Sequence, residues 1–249
     1  MRAIAVLNQK GGVGKTTTAI NLAHAMAFRG HKVTAIDMDP QNHLTAGFGE
    51  ETHPQSGIDE VLLGQSNFAD VRINTRENLK LLPAGTRLSE VEQSVRGVKG
   101  GHLLATEVKK LRQDFVFIDC PPSSGILSMN AILAAKEIVV PVSSDYLALH
   151  GMSRLMAILK HVEQRLNHKV KVWVVLTRFH ARRRLSNEVR DKLVSYFANR
   201  VLATPIREAV ALAESPSHGQ TIFEYQKRSN GALDYGELAE DLLNGRTLS

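Results

Sequence analysis

The sequence predicts an α/β fold, a doubly wound and mostly parallel sheet with helices on both faces. Three observations predict it. Short apolar runs alternate with helix-length amphipathic segments, the pattern of strand–helix–strand units. Most of those runs are rich in Val and Ile, as strands buried on both faces should be. No internal repeat, low-complexity tract or Pro/Gly/Ser linker divides the 249 residues, so the expectation is one domain over 1–249.

Taken in order, the first strand is the apolar run Ala3–Leu7. A glycine-rich loop follows it and leads into a helix over Thr16–Arg29. The next strands are Lys32–Asp37 and Leu79–Leu82, then a helix over Gly101–Arg112 and the strand Phe115–Asp119. Helix Ser128–Ala135 precedes the strand Ile138–Val142, and helix Met152–Leu166 precedes the strand Val170–Leu176. Helix Ser186–Ala198, a shorter strand near Val201 and helix Ala232–Leu243 complete the reading.

Composition narrows the function classes. The single cysteine, Cys120, forms no internal bridge and, with several cysteines needed, excludes an iron–sulfur or multi-cysteine metal site within one chain. No stretch approaches the roughly 20 apolar residues of a membrane span, and the N-terminus does not read as a signal peptide. The expectation is a cytoplasmic protein. Net charge is +6 from 31 Lys+Arg and 25 Asp+Glu, but it is unevenly placed. Between Gly151 and Val210 thirteen basic residues face four acidic ones, a local +9 that leaves the remainder of the chain net negative.

The most specific segment is Gln9-Lys10-Gly11-Gly12-Val13-Gly14-Lys15-Thr16-Thr17, between a predicted strand and a predicted helix. Glycines let backbone N–H groups approach phosphate oxygens, and a helix N-terminus adds a favourable dipole. Lys10, Gly11, Gly12, Val13, Gly14, Lys15, Thr16 and Thr17 are the candidate nucleotide-binding residues. Lys15 would reach the β- and γ-phosphates, and the Thr16 hydroxyl would ligate Mg²⁺. Gln9 stands where the general phosphate-loop pattern has glycine, so the loop is a compact form with a second lysine at its entry. A merely flexible glycine turn is the alternative, and the two lysines and the strand–loop–helix setting argue against it.

Two acidic elements complete such a site. Asp37-Met38-Asp39-Pro40-Gln41 and Asp119-Cys120-Pro121-Pro122 both place carboxylates at the carboxyl ends of strands, where open α/β sheets bind ligands. Asp119 suits the metal, directly or through water, and Asp39 could orient or activate the attacking water. Turn capping before proline is the bland alternative. Cys120 reads as a small buried side chain, and the histidines show no metal-ligand spacing.

These segments are similar in order and spacing to the three motifs of ParA/MinD-type partition ATPases, a P-loop family with a deviant Walker A sequence. Glu214-Ser215-Pro216-Ser217-His218-Gly219 and Ser229-Asn230-Gly231-Ala232 with Tyr235 and Leu238-Ala239 resemble C-terminal signatures of the ParA-like branch. Pro216-Ser217-His218-Gly219 is read as a turn, with no chemical role for His218. The resemblance implies a Mg²⁺-dependent ATPase, slow alone and stimulated by a ParB-like or cargo-specific adaptor. It implies a homodimer with ATP sandwiched at the interface, in which Lys10 reaches the partner's phosphates. A cation delivered that way offsets transition-state charge like an arginine finger. Lys10, Lys15 and Asp39 are the candidate catalytic residues, with Thr16 and Asp119 at the metal.

The resemblance also implies ATP-dependent binding of nonspecific double-stranded DNA and association with the nucleoid, to position a cargo. The basic segment agrees, since Lys and Arg neutralise phosphates without reading sequence, and few aromatics interleave the charges for single-strand stacking. One departure matters: where relatives read Pro-Arg-Asn-Val-Arg-Leu, this chain has Arg207-Glu208-Ala209-Val210-Ala211-Leu212, so a family DNA-contact arginine is Ala211. The expected DNA contacts are therefore Arg182, Arg183, Arg184 and Arg200. A MinD-like membrane switch is the alternative, but the C-terminal segment is acidic where a basic amphipathic helix would be needed. A metabolic P-loop enzyme is the third reading, without an evident substrate site. The chain enters its first strand directly, so the N-terminal operator-binding module of some plasmid relatives is not expected.

Overall fold

The computed structural model describes residues 1–50, 56–94, 102–145 and 148–248. Strand β1 (Arg2–Val6) runs into helix α1 (Lys15–Phe28), and β2 (Val33–Asp37) follows. Short helices α2 (His43–Gly47), α3 (Ile58–Leu62) and α4 (Phe68–Val71) lead to β3 (Ile73–Arg76) and β4 (Leu79–Leu82). Helices α5 (Leu88–Ser94) and α6 (Leu103–Val108) precede β5 (Phe115–Asp119), α7 (Ile126–Ala134) and β6 (Glu137–Ser143). Then come α8 (Ala148–Leu166), β7 (Lys171–Thr177), α9 (Arg184–Tyr196), α10 (Val210–Glu214), a 3₁₀ turn (Ser215–His218), α11 (Ile222–Tyr225) and α12 (Asn230–Asn244).

The seven strands are ordered β3-β4-β2-β5-β1-β6-β7. All neighbouring pairs are parallel except β3 with β4. Period-two alternation sends side chains to two cores. Ala3, Ala5, Val116 and Ile118 face the layer that holds α7 and α8. Ile4, Val6, Phe115 and Phe117 face the layer of α1 and α12. Because both faces are covered, the central strands are mostly apolar up to the aspartates that close β2 and β5, which is why they were readable from sequence.

Two termini show how α1 is bounded. Gly14, in the left-handed region at φ 87°, opens the helix with no side-chain cap. At the other end Gly30 (φ 86°) turns the chain out, its N–H bonded to the Ala27 carbonyl and that of His31 to Met26. At the amino ends of the strands, Trp173 is buried and donates to Glu137 Oε2 at 2.7 Å; Glu137 also takes Arg2 Nε at 2.7 Å. The Lys171 ammonium lies 3.9 Å from the centre of the indole ring.

The observed elements differ from expectation in few places. Helix α6 is shorter than Gly101–Arg112, and Gly101 lies outside the described residues. The expected strand near Val201 is reduced to two isolated bridges, Val201 with Val174 and Leu202 with Thr247. Strand β3 was not expected: Ile-Asn-Thr-Arg is half exposed and polar, as an antiparallel edge can be, and lacks the apolar run that marks a buried strand. Among the described residues no helix is long and apolar enough to cross a membrane.

Candidate active site

The loop after β1 is shaped by Gly12 (φ 71°) and Gly14 (φ 87°), conformations glycine adopts without a Cβ penalty. It is pinned to the sheet where Thr177 Oγ1 at the end of β7 donates to the Val13 carbonyl at 2.9 Å. The bare α1 N-terminus, with neither a capping side chain nor an acid in its first turn, faces a cavity of about 360 Å³. Gly11, Gly12, Gly14, Lys15, Thr16 and Thr17 line one side, and Asp39 and Gln41 another. Unpaired N–H groups at a helix start are the donors that phosphate oxygens take. Lys15 is buried, its ammonium donating to the Lys10 carbonyl at 3.4 Å.

Sheet register brings the acids together. Asp37 and Asp119 are paired residues at the carboxyl ends of β2 and β5. Thr16 Oγ1 donates to Asp119 Oδ2 at 2.7 Å, while Asp119 Oδ1 is buried without a hydrogen-bond partner. Burial, and then the charge of Asp37, push the Asp119 carboxyl well above the ordinary carboxylate range. An orphaned buried carboxylate oxygen beside a threonine hydroxyl is a donor set fit for a hard, oxygen-seeking cation such as Mg²⁺. Asp37 is otherwise occupied: it accepts from Thr45 Oγ1 (2.7 Å) and N (2.9 Å) and from Asp39 N (3.1 Å). Burial still raises its pKa to about 6. Asp39 lies at the cavity wall, accepting from the Gln41 N–H at 3.0 Å.

Beside this cavity lies a second, of about 460 Å³, that shares Gly14, Thr17 and Arg178 with it. Its far wall is mostly apolar: Ile206, Ala209, Val210, Leu212 and Tyr235. Arg207 is held there by Asp234, with Nε 3.0 Å from both carboxylate oxygens and the backbone N–H 2.9 Å from Oδ2. Sequence reasoning left these residues unassigned, because the segment departs from the relatives' pattern just where they line the cavity. Ala211 is buried in α10 and packs against the core.

Lys10 is not in either cavity wall; its ammonium lies 2.6 Å from both carboxylate oxygens of Asp145, past the end of β6. The arginines divide. Arg182, Arg183 and Arg184 are all exposed at the start of α9. Arg184 pairs with Glu188 at 2.7 Å, and Arg183 lies 3.9 Å from Glu208. Arg200, also exposed, follows the other end of that 13-residue helix, about 20 Å away at 1.5 Å per residue. Cys120 is fully buried and its thiol is pushed up by burial and by Asp119, which fits a packing role. The turn at Ser215–His218 ends in Gly219 (φ 62°), where a Cβ would stand 2.5 Å from Gly49 Cα, and the His218 ring stacks on Tyr225.

A family model described as an AAA domain matches residues 1–172. The sporulation initiation inhibitor protein Soj of Bacillus subtilis is 38% identical over 97% of this chain and 98% of its own length. The chromosome partitioning protein ParA of Caulobacter vibrioides is 34% identical over 98% and 94%. Among solved structures, cobyrinic acid a,c-diamide synthase from Mycobacterium smegmatis, with bound ADP and magnesium, superposes with a TM-score of 0.87 at 30% identity, covering 100% of this chain and 99% of that one. ATP and Mg²⁺ are accordingly the cofactors of this fold. With its phosphate loop, paired strand-end aspartates and near full-length likeness to Soj and ParA, the chain belongs to the ParA/MinD-type partition ATPases.

Proposed function

We propose that the chain, as one ATPase domain over 1–249, is an ATP-driven dimer switch that binds nonspecific DNA in its ATP-bound state and releases it on hydrolysis. The observation that carries the catalytic part is the Thr16–Asp119 pair with its orphaned Oδ1, set at the foot of a bare helix N-terminus. Gly11 to Thr17 hold the phosphates and Lys15 neutralises them. Thr16 and Asp119 would hold Mg²⁺, whose charge would polarise the γ-phosphate. Asp39, at the cavity wall, orients the attacking water. Lys10 stands outside the cavity of its own chain, which suits a cation that serves the partner's phosphates in a homodimer.

Hydrolysis is slow until a ParB-like or cargo-specific adaptor binds, as in switch NTPases whose catalytic group is supplied by a partner. The exposed arginines Arg182, Arg183 and Arg184 make phosphate contacts, and Arg200 extends that surface along α9. The protein works in the cytoplasm on the nucleoid, and the relatives named for chromosome partitioning support a segregation cargo. DNA binding measured with ATP, ADP and no nucleotide across a salt series tests the switch. The expected result is binding with ATP alone, weakening steeply with salt. Equal binding in all three states would refute it, and ATP-dependent sedimentation with anionic liposomes would favour the MinD-like alternative.

A further inference from the structure

Among the described residues Arg178 is the one charged residue that lines both cavities of the site. It follows Thr177, whose hydroxyl pins the phosphate loop, and its backbone is fixed on either side. Ser144 Oγ donates to the Arg178 carbonyl at 2.8 Å, and the Phe179 N–H donates to the Ile206 carbonyl at 3.0 Å. Between those anchors Arg178 takes φ 51°, a left-handed conformation uncommon for a long side chain. Strained backbone of this kind persists where surroundings over-determine it, and it gathers at functional sites. Among the described residues the guanidinium has no carboxylate partner within ion-pair distance. Glu208, the acid in the second cavity's wall, accepts from His180 and lies within ion-pair distance of Arg183, and the charge of Arg178 reaches it only from farther off.

A nucleotide lying in both cavities must run past the residues they share, with its terminal phosphates at the loop and its base against the apolar wall. The anionic group between those two parts is the α-phosphate. Gly14 and Thr17 offer it only neutral donors, and Lys15 belongs to the phosphate cavity alone. We propose that Arg178 is a nucleotide-binding residue whose guanidinium grips the α-phosphate at the junction of the two cavities. The inference rests on ATP as ligand. Because Arg178 also begins the loop that ends at Arg182 and Arg183, its grip ties nucleotide occupancy to the segment that presents the exposed arginines.

The test is equilibrium binding of ATP and of ADP, each with Mg²⁺, to the full chain and to R178M, R178N and R178K, with thermal melting of each nucleotide-free protein as the folding control. A charge-assisted contact of this kind corresponds to about ten- to a hundredfold in affinity. R178M and R178N should lose that factor equally for ATP and ADP, since both carry the α-phosphate. R178K should recover part of it, at unchanged melting temperature. R178N guards against strain, because asparagine tolerates the left-handed conformation. Unchanged affinities would overturn the inference. So would a loss confined to ATP, which would put the arginine at the γ-phosphate, or a loss of DNA binding alone. If the unaltered protein bound neither nucleotide, the ATP reading would fall first and this inference with it.

Discussion

The acids of the strand ends and the arginines of α9 are opposite solutions to the placement of charge. Asp37, Asp39 and Asp119 are at most 6% exposed, and the sheet register holds Asp37 and Asp119 side by side. The Arg184 side chain is 93% exposed, and its ion pair with Glu188 is one helical turn away. Buried like charges cost free energy that a bound cation can offset, so the first region is poised for one kind of ligand. Exposed arginines interact through a screened field and tolerate many partners. The catalytic end thus has its specificity built into backbone positions, and the basic end has affinity that follows charge count and salt.

The largest expected effect separates binding chemistry from stability at the first region. Asp119→Asn keeps an acceptor for Thr16 but removes the metal-seeking charge. It should lower Mg²⁺-dependent ATP hydrolysis by about 1,000-fold, while the nucleotide-free protein melts no lower than the unaltered one. A marked fall in melting temperature would mean that the carboxylate is a structural group. At the second region, Arg182, Arg183 and Arg184 changed together to Glu should weaken ATP-dependent DNA binding by about 100-fold. The log–log salt slope should fall by about three, near 0.9 per lost phosphate contact. Melting should be unaffected, and an unchanged slope would move the DNA surface elsewhere.

The Lys10 variant has the smallest expected effect on the single chain. Lys10→Ala removes an ion pair whose side chains are 32% and 47% exposed, so stability should change by less than about 1 kcal/mol. Nucleotide binding should survive, while the ATP-dependent dimer seen by light scattering should disappear. A persisting dimer would leave Lys10 as a surface residue paired with Asp145.

The elements that sequence disclosed were those whose cause is local. Glycine and lysine spacing revealed the phosphate loop, and aspartates closing apolar runs marked the strand ends, because those patterns need few neighbours. What stayed hidden depends on distant pairing. Asp145 meets Lys10 across 135 positions, and Asp234 holds Arg207 across 27. The orphaned oxygen of Asp119 appears only once β2, β5 and α1 are assembled. Arg178 looked like one more member of a basic run until the sheet placed it between two cavities.

Trp173 gives the fold a reporter of its own. It is the chain's only tryptophan, and it sits at the amino ends of the strands, the opposite pole from the nucleotide cavities, bonded to Glu137 and covered by Lys171. Its fluorescence therefore monitors loss of the whole sheet and stays nearly silent to ligand. Unfolding curves for every variant above can be recorded optically, with or without nucleotide, on one unlabelled scale.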